Sequence, residues 1–245
     1  MGIAYNNFTR IDHLKSEVLS LSVALGVIDS ALRKFCLVGD HSNGDIDTFD
    51  LNCLLIAFNG GKDCTLLLFL VLSRIACLRN TTGSIRLMYI KDSTDETFPE
   101  VADFVEKTKK EMRLESIEVE SGSMKDSLMK IVEEHPEVRG IFMGTRATDP
   151  NAGWMDYFCQ TSPGWPKMEL IAPILHMSYA DVWRVIRGLG IDYCSLYRRG
   201  YTSIGSRTST RPNPALRIGT ESNEYLHADQ LEDVSKERLG RVRTV

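Results

Sequence analysis

The chain has 245 residues, of which 43% are hydrophobic and 25% are charged, and these proportions are ordinary for a globular protein. The formal net charge of −4 provides no positive field, so a nucleic-acid partner is not expected. The six cysteines form no C-x-x-C pair, which gives no indication of a zinc site or a dithiol centre.

The sequence also gives no indication of a membrane segment. No stretch reaches the roughly 18 unbroken apolar residues of a membrane span. The start from Met1 to Asn6 lacks the basic region of a secretory signal. We therefore expect a cytoplasmic protein with reduced thiols, no membrane partner and a monomeric state.

The first 50 residues are predicted to be an N-terminal helical extension followed by a surface loop. Apolar residues recur at helical spacing between Ile11 and Cys36, which predicts one long amphipathic helix. The stretch from Val38 to Asp50 is polar and rich in turn-forming residues, so it is predicted to be a loop. A calcium-binding loop is rejected because Gly39 would occupy its first ligand position.

The most informative stretch comes next, where a run of buried-type residues from Leu54 to Phe58 ends at Asn59-Gly-Gly-Lys-Asp63 and a leucine-rich run follows. This order predicts a core strand, a tight loop and the start of a helix. Backbone amides of such a loop and the helix N-terminus favour phosphate, and Lys62 adds a positive charge. A purely structural glycine turn is the alternative, and the spacing fits neither a P-loop nor a dinucleotide fold.

Strands and helices alternate through the next part of the chain. Predicted strands at Ile85–Ile90, Ile117–Glu120 and Gly140–Gly144 are separated by predicted helices at Phe98–Met112 and Ser123–Glu134. The alternation predicts an α/β fold whose mostly parallel, twisted sheet carries helices on both faces.

Ligands of such folds bind at the carboxyl ends of the strands. This rule places three segments on one rim of the sheet: Asn59–Cys64, Tyr89–Asp92 and Thr145–Asp149. On that rim, the guanidinium of Arg146 can grip a phosphate with two hydrogen bonds. The carboxylate of Asp149 can accept from a base or ribose, or help to hold a metal ion. The alternative is a strand-ending turn that Asp149 caps.

Several motifs together resemble one enzyme family. The loop at 59–63 resembles the PP-loop of N-type ATP pyrophosphatases, in the form found in FAD synthetases. The later motifs follow the order seen in eukaryotic FMN adenylyltransferases: GTRxTDP at 144–150, Trp165-Pro166, Pro173-Ile-Leu175, YC-LY at 193–197, GYTSIG at 200–205 and NPAL at 213–216. The segment Glu237-Arg-Leu-Gly-Arg241 resembles the ERxxR ending of that family, although read alone it is a solvated basic end.

The chain is thereby identified as a member of the eukaryotic FAD synthetases in the PAPS reductase-like superfamily. The resemblance implies an adenine nucleotide alpha hydrolase-like fold, with the PP-loop domain at 51–216 and a C-terminal segment at 217–245. The implied reaction is Mg²⁺-dependent transfer of an adenylyl group from ATP to FMN, with FAD and pyrophosphate as products. The partners are then small molecules: FMN and ATP as substrates, FAD as bound product.

Site residues follow from the rim and the resemblance together. For ATP we predict Ala57, Phe58, Asn59, Gly60, Gly61, Lys62, Asp63, Tyr89, Ile90 and Lys91, with the main chain of Tyr89 and Ile90 reading adenine. For FMN we predict Gly144, Thr145, Arg146, Asp149, Ser162, Trp165 and Tyr201. The catalytic residues are predicted to be Asn59, Asp63, Asp149, Arg238 and Arg241, with Asp63 as a ligand of Mg²⁺. For the aromatic rings of Trp165 and Tyr201, packing in the core or a loop is the alternative.

One departure from the family pattern leaves alternatives open. Thr161 is followed by Ser162, where the relatives compared have Asp at a position implied to read the flavin ring. A flavin- or nucleotide-binding sensor without turnover is therefore one alternative. A phosphosulfate reductase of the same superfamily would need a reactive cysteine near its C-terminus, whereas the last cysteine here is Cys194. A tRNA-adenylating enzyme would be expected to carry C-x-x-C pairs and a basic surface.

Overall fold

The structure is a computed structural model that describes residues 2–39, 47–91, 97–120, 123–150, 152–219 and 222–242, with the backbone alone for residues 2–9, 90, 91 and 120. Its strands are β1 (Leu37–Val38), β2 (Thr48–Asp50), β3 (Leu54–Ala57), β4 (Asn80–Thr82), β5 (Arg86–Lys91), β6 (Ser116–Glu120), β7 (Gly140–Phe142), β8 (Phe158–Gln160) and β9 (Glu169–Ile171). Its α-helices are α1 (Gly2–Glu17), α2 (Leu19–Cys36), α3 (Lys62–Ile75), α4 (Pro99–Met112), α5 (Met124–Glu134) and α6 (Tyr179–Leu189).

The central sheet has six strands in the order β6-β5-β3-β7-β9-β8. Strand β3 lies in the middle and pairs in parallel with β5 and β7, and the parallel pairing extends outwards to β6 and β9. Only the edge strand β8 runs antiparallel to its neighbour β9 in this sheet. The predicted α/β class with a mostly parallel sheet is therefore confirmed.

Both faces of the sheet are covered, because alternate residues of each strand point to opposite sides. Leu54 and Ile56 of β3 join a large apolar core with helices α2, α3, α4 and α6. Leu55 lies on the other face with Met88, Ile141 and residues of helix α5. The predicted helices on both faces are confirmed, with α5 alone on one side among the described helices.

The prediction of one helix from Ile11 to Cys36 is wrong in one respect. Two helices meet at Val18, whose backbone is extended at φ −126° and ψ 90°. Helix α1 packs on α6, where Leu14 lies against Gly188, whereas α2 packs on α3. Val18 is only 2% exposed, so the bend itself is buried. The change of direction lets the two helices bury their apolar faces on different partners.

The predicted surface loop from Val38 to Asp50 is also partly wrong. Strands β1 and β2 occupy its ends and form a small sheet with β4, in which Phe49 is buried. The middle of the predicted loop, residues 40–46, lies outside the described residues. The division of the chain at residues 50 and 216 stays a prediction.

No helix in the described ranges is both long and apolar enough to cross a membrane.

Candidate active site

The loop between β3 and α3 is shaped by its own polar groups. Gly60 has a φ of +74°, in the left-handed region that glycine tolerates. The side-chain oxygen of Asn59 accepts a hydrogen bond from the amide of Gly61 at 2.9 Å. The amide of Lys62 donates to the hydroxyl of Tyr197 at 2.7 Å. Two amides that the sequence assigned to phosphate therefore already have protein partners.

A cavity of about 580 Å³ opens at the carboxyl ends of β3, β5 and β7. Its volume is in the range of small-molecule sites. It is lined by the loop, by the turn after β7 and by the C-terminal segment: Ala57, Phe58, Asn59, Gly61, Lys62, Asp63, Cys64, Met88, Met124, Met143, Gly144, Thr145, Asp149, Tyr197, Ser203, Ile204, Gly205, Glu237, Arg238 and Arg241. The structure thus brings together two of the three predicted rim segments and both arginines of the ERxxR segment.

Behind the loop lies a buried network of four charged side chains. The ammonium of Lys62 donates to Asp63 Oδ2 at 2.9 Å and to Glu237 Oε1 at 2.6 Å, and it lies 3.4 Å from the carbonyl oxygen of Thr202. The guanidinium of Arg146 donates to both oxygens of Glu237 at 2.5 and 2.6 Å. Its Nε lies 2.8 Å from Asp63 Oδ1, but the N–H is not aimed at that oxygen, so this contact is an ion pair without a hydrogen bond.

This network contains two cations with predicted roles in substrate binding. The sequence placed Lys62 on ATP and Arg146 on FMN, but both residues are only 1% exposed. Burial opposes the charged form of Arg146, yet the nearby carboxylates of Asp63 and Glu237 outweigh it and raise the pKa of Arg146. The two cations are therefore held by protein carboxylates, and their predicted contacts with substrate phosphates stay predictions.

The C-terminal segment is fixed by hydrogen bonds from the GYTSIG and NPAL motifs. The hydroxyl of Thr202 donates to the carbonyl oxygen of Glu237 at 2.6 Å. The side-chain amide of Asn213 donates to Thr202 Oγ1 and to the carbonyl oxygen of Lys236, both at 2.8 Å. Because these contacts hold residues 236 and 237, they bring the two following arginines to the wall of the cavity.

Arg238 faces the turn after β7, and Arg241 lies against the GYTSIG motif. Arg238 Nη1 lies 3.8 Å from Asp149 Oδ1, and Arg241 Nη1 lies 3.5 Å from the hydroxyl of Ser203. Burial, followed by repulsion from Arg238, lowers the pKa of Arg241. Because the charged form of Arg241 is disfavoured in this way, it is stabilised by any anion that enters the cavity.

The turn after β7 is capped by Asp149 and lines the cavity, and its predicted role in binding FMN stays a prediction. Asp149 Oδ2 accepts from the amide of Arg146 at 2.9 Å, so the carboxylate caps its own turn. Asp149 also lines the cavity together with Gly144 and Thr145. Gly144 packs directly on the backbone of Cys64 at the start of α3. This close approach fixes the distance between the turn and the loop.

A second cavity of about 410 Å³ adjoins the first. The two share Met88, Met124 and Met143 as a common wall. Ser162 and Trp165, both predicted for FMN, line the second cavity. Trp165 is 36% exposed, and the exposed Trp154 lies in the same wall.

The predicted residues Tyr201 and Tyr89 lie away from these walls. The ring of Tyr201 packs edge-on against Phe98 at 5.5 Å and lines none of the cavities described here, so its predicted stacking on flavin is not supported. Tyr89 lines a small cavity of about 170 Å³ that shares Asn59 and Gly61 with the main one. Ile90 and Lys91 belong to β5, but their side chains lie outside the described set.

The donor groups suit a metal ion that arrives with a phosphorylated ligand. In the described ranges, no three His, Cys, Asp or Glu residues are grouped as a metal site. Asp63 also lines the cavity, but each of its oxygens lies within 2.9 Å of a cation, and its predicted role as a Mg²⁺ ligand stays a prediction. Asp149 fits better, because its side chain is 29% exposed at the cavity. One protein carboxylate is typical of Mg²⁺ that keeps waters and substrate phosphates as its other ligands.

The sequence did not identify several residues of the site. Glu237 and Tyr197 stood inside recognised motifs, and this was the one signal that could have pointed to them. The three methionines that both cavities share could not be identified from the sequence. Met88 and Met143 lie in or next to apolar strands, where methionine is an ordinary core residue.

The chain is similar to known proteins in sequence and in fold. Residues 53–212 match the model of the phosphoadenosine phosphosulfate reductase domain. The chain is 37% identical over 204 residues to a probable FAD synthase of Schizosaccharomyces pombe, covering 81% of this chain and 75% of that one. The chain belongs to the FAD synthase family within the phosphoadenosine phosphosulfate reductase domain proteins. The family predicted from the motifs is thereby confirmed.

Other relatives agree with this membership. The flavin adenine dinucleotide synthase of Saccharomyces cerevisiae is 31% identical over 244 residues, covering 91% of this chain and 76% of that one. The chain spans only 38% of the length of a probable FAD synthase of Caenorhabditis briggsae, to which it is 35% identical.

Solved structures show the same fold at lower identity. FMN adenylyltransferase of Candida glabrata in complex with FAD and inorganic pyrophosphate matches with a TM-score of 0.83 at 22% identity, covering 100% of this chain and 97% of that one. Phosphoadenylyl-sulfate reductase of Candida auris matches more distantly, with a TM-score of 0.50 at 18% identity and coverage of 82% and 96%.

Proposed function

We propose that the protein is an FMN adenylyltransferase, which makes FAD and pyrophosphate from FMN and ATP. Membership of the FAD synthase family supports this proposal. The observation that carries it is the pair of adjoining cavities with a shared methionine wall, one beside two arginines and the other beside two tryptophans. Such a pair can hold two phosphorylated molecules side by side with their phosphates at one point.

The two cavities suggest how the substrates lie. We place the isoalloxazine ring in the second cavity, against Trp165 and Trp154, since aromatic and methionine side chains favour flat apolar rings. The phosphates of both substrates lie in the first cavity. Adenine lies towards Tyr89, in the small cavity that Asn59 and Gly61 share with the main one.

The reaction needs charge neutralisation more than proton transfer. The second pKa of a phosphate monoester is about 6, so the phosphate of FMN is mostly a dianion at pH 7 and needs no general base. One of its oxygens attacks the α-phosphorus of ATP, and the bond from that phosphorus to the bridging oxygen of pyrophosphate breaks. Arg238 and Arg241 are placed to offset the charge that develops on the leaving pyrophosphate. Asn59 shapes the loop, and Asp149 fixes the turn opposite it.

Mg²⁺ is proposed to enter with ATP, and Asp149 would hold it directly or through water. The bound ion would supply positive charge between phosphate oxygens, as it does in other phosphoryl and nucleotidyl transfers. A cytoplasmic location, a monomeric state and the absence of a nucleic-acid partner stay predictions, which fractionation and size-exclusion chromatography of the purified chain would test.

The proposal is tested by mixing the protein with FMN, ATP and Mg²⁺ and measuring FAD and pyrophosphate by chromatography. The two products should appear in equal amounts. Asn59→Ala, Asp149→Ala and Arg238→Ala should each lower turnover by at least about tenfold, the size of a lost preorganised contact. Arg184→Ala, on the exposed face of α6, is the matched control and should keep normal turnover.

Two results would count against the proposal in different ways. Tight binding of FMN and ATP without any FAD would favour a sensor without turnover. Near-normal FAD formation by all three variants would leave the reaction in place but remove this site assignment.

A further inference from the structure

We propose that Glu237 is a positioning residue that holds the arginine pair at the cavity, and that Lys62 acts through Glu237 and not on the substrate. The inference rests on the proposed function only for its kinetic test. It concerns the contact between Lys62, at the start of helix α3, and Glu237 of the C-terminal segment, two residues that lie 175 positions apart in the chain.

Lys62 is enclosed by protein groups. Although atoms of this residue contribute to the cavity wall, its side chain is only 2% exposed. Its ammonium is occupied by Asp63, Glu237 and the carbonyl oxygen of Thr202, and it lies 5.0 Å from the centre of the Tyr179 ring. An ammonium has three N–H donors, and three oxygens already accept from or face it here.

The positive and negative charges of the buried network balance. Lys62 and Arg146 carry two positive charges, and Asp63 and Glu237 carry two negative charges, so the network is neutral as a unit. It therefore presents little net attraction to a substrate phosphate. Among the described residues that line the cavity, the remaining cations are Arg238 and Arg241.

Glu237 links the buried network to the arginine pair. It directly precedes Arg238, and its own side chain makes three contacts shorter than 2.7 Å with two buried cations. Removing its charge would leave Lys62 and Arg146 with Asp63 alone. A buried cation without a partner is strongly unfavourable, so the segment would be displaced or water would enter. Either change would move the arginine pair away from its position.

The test compares Glu237→Gln, Lys62→Met and the double variant, with Glu232→Gln in an exposed part of the same segment as the matched control. Glu237→Gln should raise the KM for ATP by at least about tenfold, the size of a lost preorganised contact. The Kd for FMN, measured by flavin fluorescence, should rise less than the KM for ATP, since the flavin ring is placed in the second cavity and only the phosphate of FMN reaches the first. Trypsin should cleave after Arg238 and Arg241 faster than in the wild type or in Glu232→Gln.

The double variant decides the role of Lys62. It leaves Arg146 and Asp63 as a balanced pair, so its KM for ATP should be lower than that of Glu237→Gln alone. If Lys62 bound the phosphates itself, the double variant would be worse than either single variant. That result, or a normal KM for ATP in Glu237→Gln, would overturn the inference.

Two further measurements keep the test decisive. If the wild type forms no FAD, the proposed function fails, and the Kd for ATP by calorimetry together with the tryptic cleavage still tests Glu237. If Glu237→Gln does not fold while the double variant does, charge balance is supported directly. If neither folds, Thr202→Val removes the hydroxyl that holds the backbone of Glu237; it should raise the KM or Kd for ATP, and an unchanged value would overturn the inference.

Discussion

Gly144→Ala is expected to move the turn after β7 away from the start of helix α3, and both of these segments line the main cavity. A Cβ built on Gly144 would lie 2.7 Å from Cys64 Sγ, 2.8 Å from its backbone nitrogen and 2.9 Å from its Cα. Two of these atoms belong to the main chain at the start of helix α3, so a side-chain rotation cannot relieve the overlap. The turn that carries Asp149 and the start of helix α3 must therefore move apart.

The size of the effect follows from the cost of overpacking. Extra methyl groups in a well-packed interior cost about 1–3 kcal/mol of unfolding free energy. For a chain of this size, each kcal/mol lowers the melting temperature by roughly 2–4 °C. We therefore expect a Tm about 2–12 °C below that of the wild type. Turnover should fall as well, because Thr145 and Asp149 move with the turn.

Thermal denaturation followed by circular dichroism, together with the FAD assay, measures both effects. Gly153→Ala is the matched control, because no atom lies within 4 Å of a Cβ at that position. Equal melting temperatures for the two variants would refute the argument that contact between Gly144 and Cys64 sets the spacing of the site.

Two further predictions concern stability. Gly26→Ala in the exposed face of helix α2, where a Cβ meets nothing within 4 Å, should raise the unfolding free energy by about 0.5–1 kcal/mol in urea denaturation; no gain would contradict the assigned helix. Burial, followed by the charge of Asp63, raises the pKa of Cys64 to about 12 from an ordinary 9.0. The fold therefore keeps the thiol protonated, and its contribution to stability is complete below about pH 9 and is lost as the pH rises towards 12. Urea midpoints should fall between pH 8 and pH 10 and fall less in Cys64→Ser; equal declines would contradict this assignment.

The sequence allowed the centre of the fold to be predicted because its strands are apolar runs. Strands β3, β5, β6 and β7 are continuous or alternating apolar segments that stand between helices and turns. Strands β8 and β9 were missed, since each has three residues and its extended form depends on pairing beside β7. The bend at Val18 was missed for a similar reason, because helical spacing continues through it while the packing partner changes.

The location of the site was more predictable than the role of each residue. The strand-end rule and the motif order placed the loop, Asp149 and the arginine pair near one another, and the structure places them around one cavity. The roles of Lys62 and Arg146 could not be predicted, because the carboxylate that holds both belongs to Glu237. Local spacing contains no information on a partner 175 residues away along the chain.

The contact between Lys62 and Glu237 also has a consequence for how the protein reaches its native state. Contacts between residues far apart in sequence require the closure of a long loop, and they form slowly. The helices and the local strand pairs can form while the C-terminal segment is still undocked, so the arginine pair arrives among the last parts to order. A partially folded chain can thus contain helices and paired strands while its cavity still lacks the arginine pair.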